Sequence, residues 1–161
     1  MRIGMYGLLA VALLAIGGCG KPDTIVTGAN GEKATISQDG KNMTVTDGKG
    51  GSATLGTTVS EADLGVPFYP SSAEKASGSM AMDQGGEKTV SSARTTKDEP
   101  TAVTAFYKDK ITDGKPSDMN SGDTKMATIG GKLKDGAEVS VIATKKGSED
   151  TDIVVVVKRK K

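Results

Sequence analysis

Ile153-Val154-Val155-Val156-Val157 is the stretch of sequence that decides the fold. Five consecutive β-branched side chains favour an extended strand, and an unbroken apolar run is typical of a strand that is covered on both faces. Two more strands are predicted at 126–129 and 138–144, which would pair with it in one antiparallel sheet. A helix can cover only one face of such a sheet, so we expect another part of the chain to cover the second face.

The helix that would cover the first face is predicted over about residues 99–113. Pro100 suits the first turn of a helix, where its missing N–H needs no partner, and Gly114 and Pro116 end the helix. Between them, an apolar stripe recurs at the helical spacing i, i+3, i+4 and i+8, and we expect it to pack on the sheet. The members of this stripe are Val103, Phe106, Tyr107 and Ile111.

Aromatic side chains are scarce, since the chain has two Phe, three Tyr and no Trp. Beyond the N-terminal stretch they form two adjacent pairs, Phe68-Tyr69 and Phe106-Tyr107. A chain with so few large rings needs them in its core. We therefore expect Phe68 to meet Phe106 there, with the two tyrosine hydroxyls directed to water or to a partner.

Residues 24–57 are predicted to form a β-meander ahead of an α+β domain at 58–161. Four short β-like runs between Thr24 and Leu55 alternate with Asn-Gly and Asp-Gly dipeptides, which favour tight hairpin turns. The predicted fold class is thus α+β, with an N-terminal antiparallel β-meander followed by an antiparallel sheet packed on one amphipathic helix. The meander is the available cover for the second face of 153–157.

Smaller elements are predicted at the start of the α+β domain. Residues 58–64 suggest a helical turn capped by Ser60, with Asp63 three residues on, at the spacing of a capping box. Residues 76–82 and 88–95 predict two strands around a Gly-Gly turn. These strands would lie between the meander and the helix along the chain.

The N-terminal stretch indicates where the protein resides. An apolar run from Met5 to Ile16 follows Arg2. The run is about a dozen residues long, which suits a signal peptide and is short of the roughly 20 residues of a membrane-spanning helix. Ile16-Gly17-Gly18-Cys19 then resembles the lipobox of bacterial lipoproteins, an aliphatic residue and two small residues before a cysteine.

This resemblance implies a signal peptide at 1–18 that is cleaved between Gly18 and Cys19. It also implies a thioether-linked diacylglycerol on Cys19, an acyl chain such as palmitate on its new amino group, and a lipidated tether at 19–23. Three chains would anchor durably, because each buried methylene contributes about 0.8 kcal/mol. Gly20 in place of Asp implies the periplasmic face of the outer membrane under the enterobacterial sorting rule. The residues alone leave open an ordinary secretory signal, with Cys19 as a free thiol.

A second resemblance covers about residues 64–112. The chain is similar to small bacterial lipoproteins that carry a VPxYP segment and a later T-x-D-x-P-x-x-V-x-x-F-Y segment. It departs from them at Ser71-Ser72, where they carry Gly-Ala, and at Glu99, where they carry Ser. No activity is assigned to those proteins, so the resemblance implies none for this chain. The matching positions are Gly65-Val66-Pro67-Phe68-Tyr69-Pro70, Thr96, Asp98, Pro100, Val103 and Phe106-Tyr107.

Composition argues against several classes of function. Lys and Arg number 21 and Asp and Glu number 20, so loss of Arg2 with the leader would leave a neutral chain, which argues against a nucleic-acid partner. His is absent and Cys19 is the one cysteine, so no familiar catalytic triad or zinc site can be built. We therefore predict no catalytic residue, no metal ligand and no cofactor besides the lipid on Cys19.

Two hypotheses on function follow. The first is a non-catalytic binding or accessory protein of the cell envelope, held to the membrane by its lipid and presenting a sheet surface or edge to an envelope protein. The alternative is a small hydrolase or metal-dependent envelope enzyme that uses only carboxylates and Lys. Candidate groups for the alternative are the S-x-x-K match at Ser72 and Lys75 and the paired carboxylates Asp150 and Asp152.

Overall fold

A computed structural model of the protein describes residues 24–27, 33–39, 42–47, 49–75 and 78–161. The predicted cleavage position Gly18, the predicted lipid site Cys19 and the tether lie outside the described residues. The helices are α1 (Glu61–Leu64) and α2 (Pro100–Lys108). The strands are β1 (Thr24–Thr27), β2 (Lys33–Asp39), β3 (Asn42–Asp47), β4 (Ser52–Leu55), β5 (Ala73–Glu74), β6 (Met80–Gln84), β7 (Glu87–Thr96), β8 (Thr112–Ser121), β9 (Thr124–Lys132), β10 (Glu138–Lys146) and β11 (Thr151–Lys160).

All of these strands belong to one antiparallel sheet. Ten of them lie side by side in the order β1-β2-β3-β4-β6-β7-β11-β10-β9-β8, and the short β5 pairs with the end of β7. Strands make up 59% of the described residues. The described residues thus form the predicted antiparallel sheet with helix packing, but they include two helices and are richer in β-structure than a sheet packed on one helix.

The predicted meander strands form, but they extend the sheet rather than cover it. β1 to β4 pair in sequence order, and β4 then pairs with β6 through Leu55↔Met80 and Ala53↔Met82. The expectation that the meander covers the second face of β11 is therefore wrong. The physical reason is that the N–H and C=O groups at the edge of β6 lie in the plane of the sheet, where they form hydrogen bonds with the backbone of β4.

Helix α1 carries the predicted capping box. The Ser60 hydroxyl accepts from the Asp63 N–H at 3.2 Å, and the Asp63 carboxylate accepts from the Ser60 N–H at 3.0 Å. Gly65 ends the helix at φ +73°, in the left-handed region that favours glycine. The Arg159 guanidinium donates to the carbonyls of Asp63 and Leu64 at 2.6 and 3.0 Å, so the C-terminus of α1 is tied to β11.

Helix α2 is shorter than the predicted 99–113, because it ends at Lys108. Strand β8 begins at Thr112 and forms one edge of the sheet. The sequence did not indicate β8, since its many polar residues and Pro116 are untypical of a strand interior. Ile111, the last member of the predicted helical stripe, lies beyond the helix but is only 5% exposed, because it packs beside Gly131 of β9.

The core lies between the two helices and one face of the sheet. In β11 the Val155 side chain is 1% exposed, whereas Val154 and Val156 on the other face are half-buried. This alternation has the two-residue period of a strand that is covered on one side. The buried side chains that meet in the core include Leu64, Val103, Tyr107, Ile111, Ile129, Val141, Ile153, Val155 and Val157.

The two aromatic pairs meet, but their members exchange the predicted roles. The ring contact between the pairs joins Tyr69 to Phe106, edge to face, with centroids 5.4 Å apart. Tyr69 and Tyr107 are 9% and 1% exposed, whereas Phe68 and Phe106 are only partly buried at the border of the core. The expectation that the tyrosine hydroxyls face water or a partner is wrong, because each donates to a protein oxygen, at 2.8 Å from Tyr69 and 3.0 Å from Tyr107.

Ser92, in the middle of β7, provides a test of the core. Among the described residues its hydroxyl is the buried side-chain group without a hydrogen-bond partner, and Ser92 is 1% exposed. A buried unpaired hydroxyl costs about 1–3 kcal/mol. We therefore expect Ser92→Ala to raise the free energy of unfolding by about 1 kcal/mol, measured by urea denaturation.

Thr151 is a matched control for that substitution. It is 0% exposed, and its hydroxyl donates to the Asp98 carbonyl at 2.5 Å. Removing a satisfied hydroxyl leaves the carbonyl unpaired, so Thr151→Val should lower the free energy of unfolding by about 1–2 kcal/mol. If Ser92→Ala also lowered it, the Ser92 hydroxyl would have a stabilising partner and the assignment would be wrong.

Candidate interaction surface

The two faces of the sheet differ because both helices lie on one of them. α1 contacts β7 and β11, and α2 contacts β8, β9 and β10. Leu64 of α1 and Val103 of α2 share the core with Val155 of β11, so both helices lie on the side to which Val155 points. We call this side the helix face. The opposite side, which carries Val154 and Val156, is the open face.

The strand register extends the open face across the whole sheet. Residues that pair directly in antiparallel strands share a face, so the pairs can be followed outward from Val154 and Val156. Val154, for example, pairs with Ile142 of β10 and with Ala93 of β7. The apolar members of the open face are Val26, Ala34, Ile36, Met43, Val45, Ala53, Leu55, Met80, Met82, Ala93, Met119, Met126, Ile142, Val154 and Val156.

Methionines are concentrated on the open face. Every methionine of the described residues lies there, on strands β3, β6, β8 and β9. Met is unbranched and adaptable, and surfaces rich in Met are used to bind partners. Chance alone would divide these residues between the two faces. They are Met43, Met80, Met82, Met119 and Met126.

The open face also exposes large apolar side chains. Met119 is 55% exposed, Leu55 is 38% exposed, and Met43 and Ile142 are each 37% exposed. Ser and Thr side chains of the same strands lie between these apolar residues. Several large exposed apolar residues on one face favour an interaction site, whereas single exposed apolar residues do not. The open face is therefore the candidate functional site of this protein.

Most charges on the open face lie toward the two ends of its strands, and Lys115 at the β8 edge is the exception. At one end the Lys75 Nζ lies 2.8 Å from the Asp152 Oδ2. At the other end the Lys158 Nζ lies 2.9 Å from the Glu87 Oε2, and this carboxylate raises the pKa of Lys158. A pocket of about 320 Å³ at the Lys158 end is also lined by side chains of both signs. Each end thus forms a rim of mixed charge, and Lys115 is the one charged residue that the described strands place between the rims.

The candidate catalytic pair is divided between two separate interactions. The Ser72 Oγ donates to the Tyr69 carbonyl at 2.6 Å and accepts from the Arg94 Nε at 2.7 Å. Lys75 is bound instead to Asp152, at 2.8 and 2.9 Å from its two carboxylate oxygens. In the part of the chain that the structure describes, no group of three or more His, Cys, Asp or Glu side chains could hold a metal ion.

The other charged clusters link elements of the fold. Glu99 accepts from Lys145 at 2.8 Å and from Lys125 at 2.9 Å, and these hydrogen bonds hold the pKa of its carboxyl below the usual value. Glu99 thus connects the start of α2 to β9 and β10 and does not cap the helix with its side chain. Asp150, the remaining candidate carboxylate, is exposed just before β11.

Sequence reasoning did not identify the open face, although a signal was present. Met80 and Met82 alternate within a predicted strand, as Val154 and Val156 do in another. Alternation places two residues of one strand on the same side. It does not say which side faces the helices, and that assignment requires the register of all the strands.

Comparisons with protein-family models, with curated proteins and with solved structures find no match for the chain. Among the described residues, no helix has the length and apolar composition that crossing a bilayer requires. The geometry of the open face and the N-terminal sequence are therefore the two observations from which a function can be argued.

Proposed function

We propose that the protein is a lipid-anchored, non-catalytic binding or accessory protein of the bacterial cell envelope, which presents the open face to a protein partner. The observation that carries the proposal is the open face itself. It spans ten strands, holds every described methionine, and between its rims carries apolar, Ser and Thr side chains with the single charge of Lys115 at the β8 edge. Burial of its exposed Met, Leu and Ile side chains by a partner would be favourable, because it removes apolar surface from water.

The membrane anchor is supported by the N-terminal sequence. Ile16-Gly17-Gly18-Cys19 resembles a lipobox, and Gly20 after it favours the periplasmic face of the outer membrane. Cys19 precedes the first residue of β1 by five positions. Five extended residues span at most about 18 Å. A lipid on Cys19 would therefore hold the β1 edge of the sheet close to the membrane surface.

The anchor is tested by metabolic labelling of the full chain in a bacterium that processes lipoproteins, using an alkyne analogue of palmitate. The unaltered chain should carry the label, fractionate with membranes, and lose residues 1–18 by mass spectrometry. Cys19→Ser should abolish the label, because the acceptor thiol is gone, whereas Thr57→Ser, a matched change outside the lipobox, should retain it. A labelled Cys19→Ser chain, or an unlabelled and water-soluble unaltered chain, would contradict the anchor.

Binding through the open face is tested in the same cells with a photo-crosslinking amino acid. The residue is introduced at Met119, which is exposed on the open face, or at Ala105, which is exposed on the outer side of α2. We expect protein adducts from position 119 and none from position 105. Equal yields of adduct at the two positions would show that the open face is no binding surface.

A further inference from the structure

The open face fits a second copy of this chain, and we propose that two copies pack through their open faces into a face-to-face dimer. This inference rests on the proposed function, because it names the partner that the open face binds. Three features of the described residues support it. They are the sequence of β11, the size of the open face and the distribution of its charges.

The sequence of β11 favours a second layer of sheet. Ile153, Val155 and Val157 face the core, yet Val154 and Val156 on the open face are equally apolar and β-branched. Such a run is typical of a strand with cover on both faces, and the described residues supply cover on the helix face only. Two sheets stack face to face about 10 Å apart with their side chains interdigitated, which is the arrangement that a second open face would provide.

The size of the open face matches the requirement of a stable dimer. Ten strands at a spacing of about 4.8 Å, each contributing about five residues of length at about 3.3 Å, outline a plan area of about 800 Å². A standard protein interface buries about 800 Å² on each partner. Because neighbouring strands are rotated by about 20–25°, the two sheets would overlap over the strands around β11 and not over the full width.

The charges of the open face are compatible with a copy and not with a strongly acidic or basic partner. One rim carries Lys75 with Asp152, and the other carries Lys158 with Glu87. In a twofold dimer the same surface of both copies forms the interface. Its charges must therefore be complementary to the same set of charges on the partner. Rims that hold both signs satisfy this condition, because a Lys of one copy can face a carboxylate of the other.

The adaptability of Met makes such self-association sterically feasible. A surface of rigid β-branched side chains fits one complement only, whereas the five methionines can adjust their torsions to a copy of themselves. The valines of β11 would then pack at the centre, and the methionines would fill the space around them on β6, β8 and β9. The expected dimer is thus isologous, with β11 near its twofold axis.

The experiment co-expresses two full-length copies that differ only in an affinity tag, one of which carries the photo-crosslinker at position 119. We expect an adduct of twice the chain mass that contains both tags, and no such adduct from position 105. Ile142→Lys should reduce the yield of the doubly tagged adduct at least about tenfold, because it would bury a charge between the sheets. Ala105→Lys, the matched control, should leave the yield unchanged.

The outcomes separate this inference from the proposed function. Adducts from position 119 that contain another protein and never the second tag would overturn the dimer, while leaving a binding open face in place. An adduct within one chain, joining position 119 to residues 1–23, would overturn both. The chain that carries only the crosslinker supplies these readouts, so the test holds even if Ile142→Lys fails to fold.

Discussion

Tyr107→Ala is expected to lower the free energy of unfolding by about 3–5 kcal/mol, the largest effect of any single substitution considered for this chain. Tyr107 is 1% exposed and lies on α2 between the sheet and the loop that carries Pro67. Its ring stacks edge to face on Phe106, with centroids 5.0 Å apart. Removing the ring leaves a cavity in a core that has few other large side chains, so neighbouring residues cannot fill it.

Tyr107→Phe is the control that separates the ring from the hydroxyl. The hydroxyl donates to the Pro67 carbonyl at 3.0 Å, so Phe should cost only about 1 kcal/mol. Urea denaturation followed by circular dichroism measures both variants. If Tyr107→Ala lowered the free energy of unfolding less than Tyr107→Phe does, or if neither substitution lowered it, this ring would not hold α2 to the sheet.

Alkaline pH is expected to destabilise the protein through the same side chain. Burial raises the pKa of Tyr107 from 10.0 to about 12. Burial and the hydrogen bond to Asp98 likewise raise the pKa of Tyr69 to about 12. Below pH 10 the phenol keeps its proton in both the folded and the unfolded chain, and the stabilising contribution is fully present. Between pH 10 and about 12 the unfolded chain ionises and the folded chain does not, so stability falls as the pH rises.

Between about pH 9 and about pH 11.5, ionisation of Tyr107 alone should lower the free energy of unfolding by about 2 kcal/mol, because each pKa unit corresponds to about 1.4 kcal/mol. Urea denaturation at about pH 9 and about pH 11.5 measures it. Tyr107→Phe should show a clearly smaller fall than the unaltered chain, since Phe does not ionise and every other ionisable group is common to the two proteins. Equal falls in the two proteins would mean that the Tyr107 phenol is not protected from ionisation.

Local signals were readable from the sequence wherever a few neighbouring residues decide the structure. The Ser60 and Asp63 cap depends on atoms three residues apart, and it forms as predicted. The strand over 153–157 follows from β-branched side chains, and it forms within β11. β8 was not predicted, because its polar sequence and Pro116 give no local signal of a strand. It is an edge strand that pairs on one side only, where such residues are tolerated.

Long-range pairing decided what local signals could not. Tyr69, and not Phe68, contacts Phe106 in the core. Tyr69 and Tyr107 can be buried because other segments supply acceptors for their hydroxyls, namely Asp98 and the Pro67 carbonyl. The end of α2 depends on where β8 finds its place beside β9. Neither arrangement can be predicted from the spacing of residues in one element.

The sequence by itself determined most of the strands, though not β8, and the part of the apolar stripe that lies in α2, because each depends on residues that are close in the chain. The lipid on Cys19 stays a prediction from the same kind of local signal. Only the tertiary structure decided that β4 joins the edge of β6 instead of covering β11. With that pairing, Val154, Val156 and the five methionines lie on the side that neither described helix covers. The physical reason is that backbone hydrogen bonding at a strand edge competes with apolar packing on a sheet face, and the outcome depends on the register of distant strands.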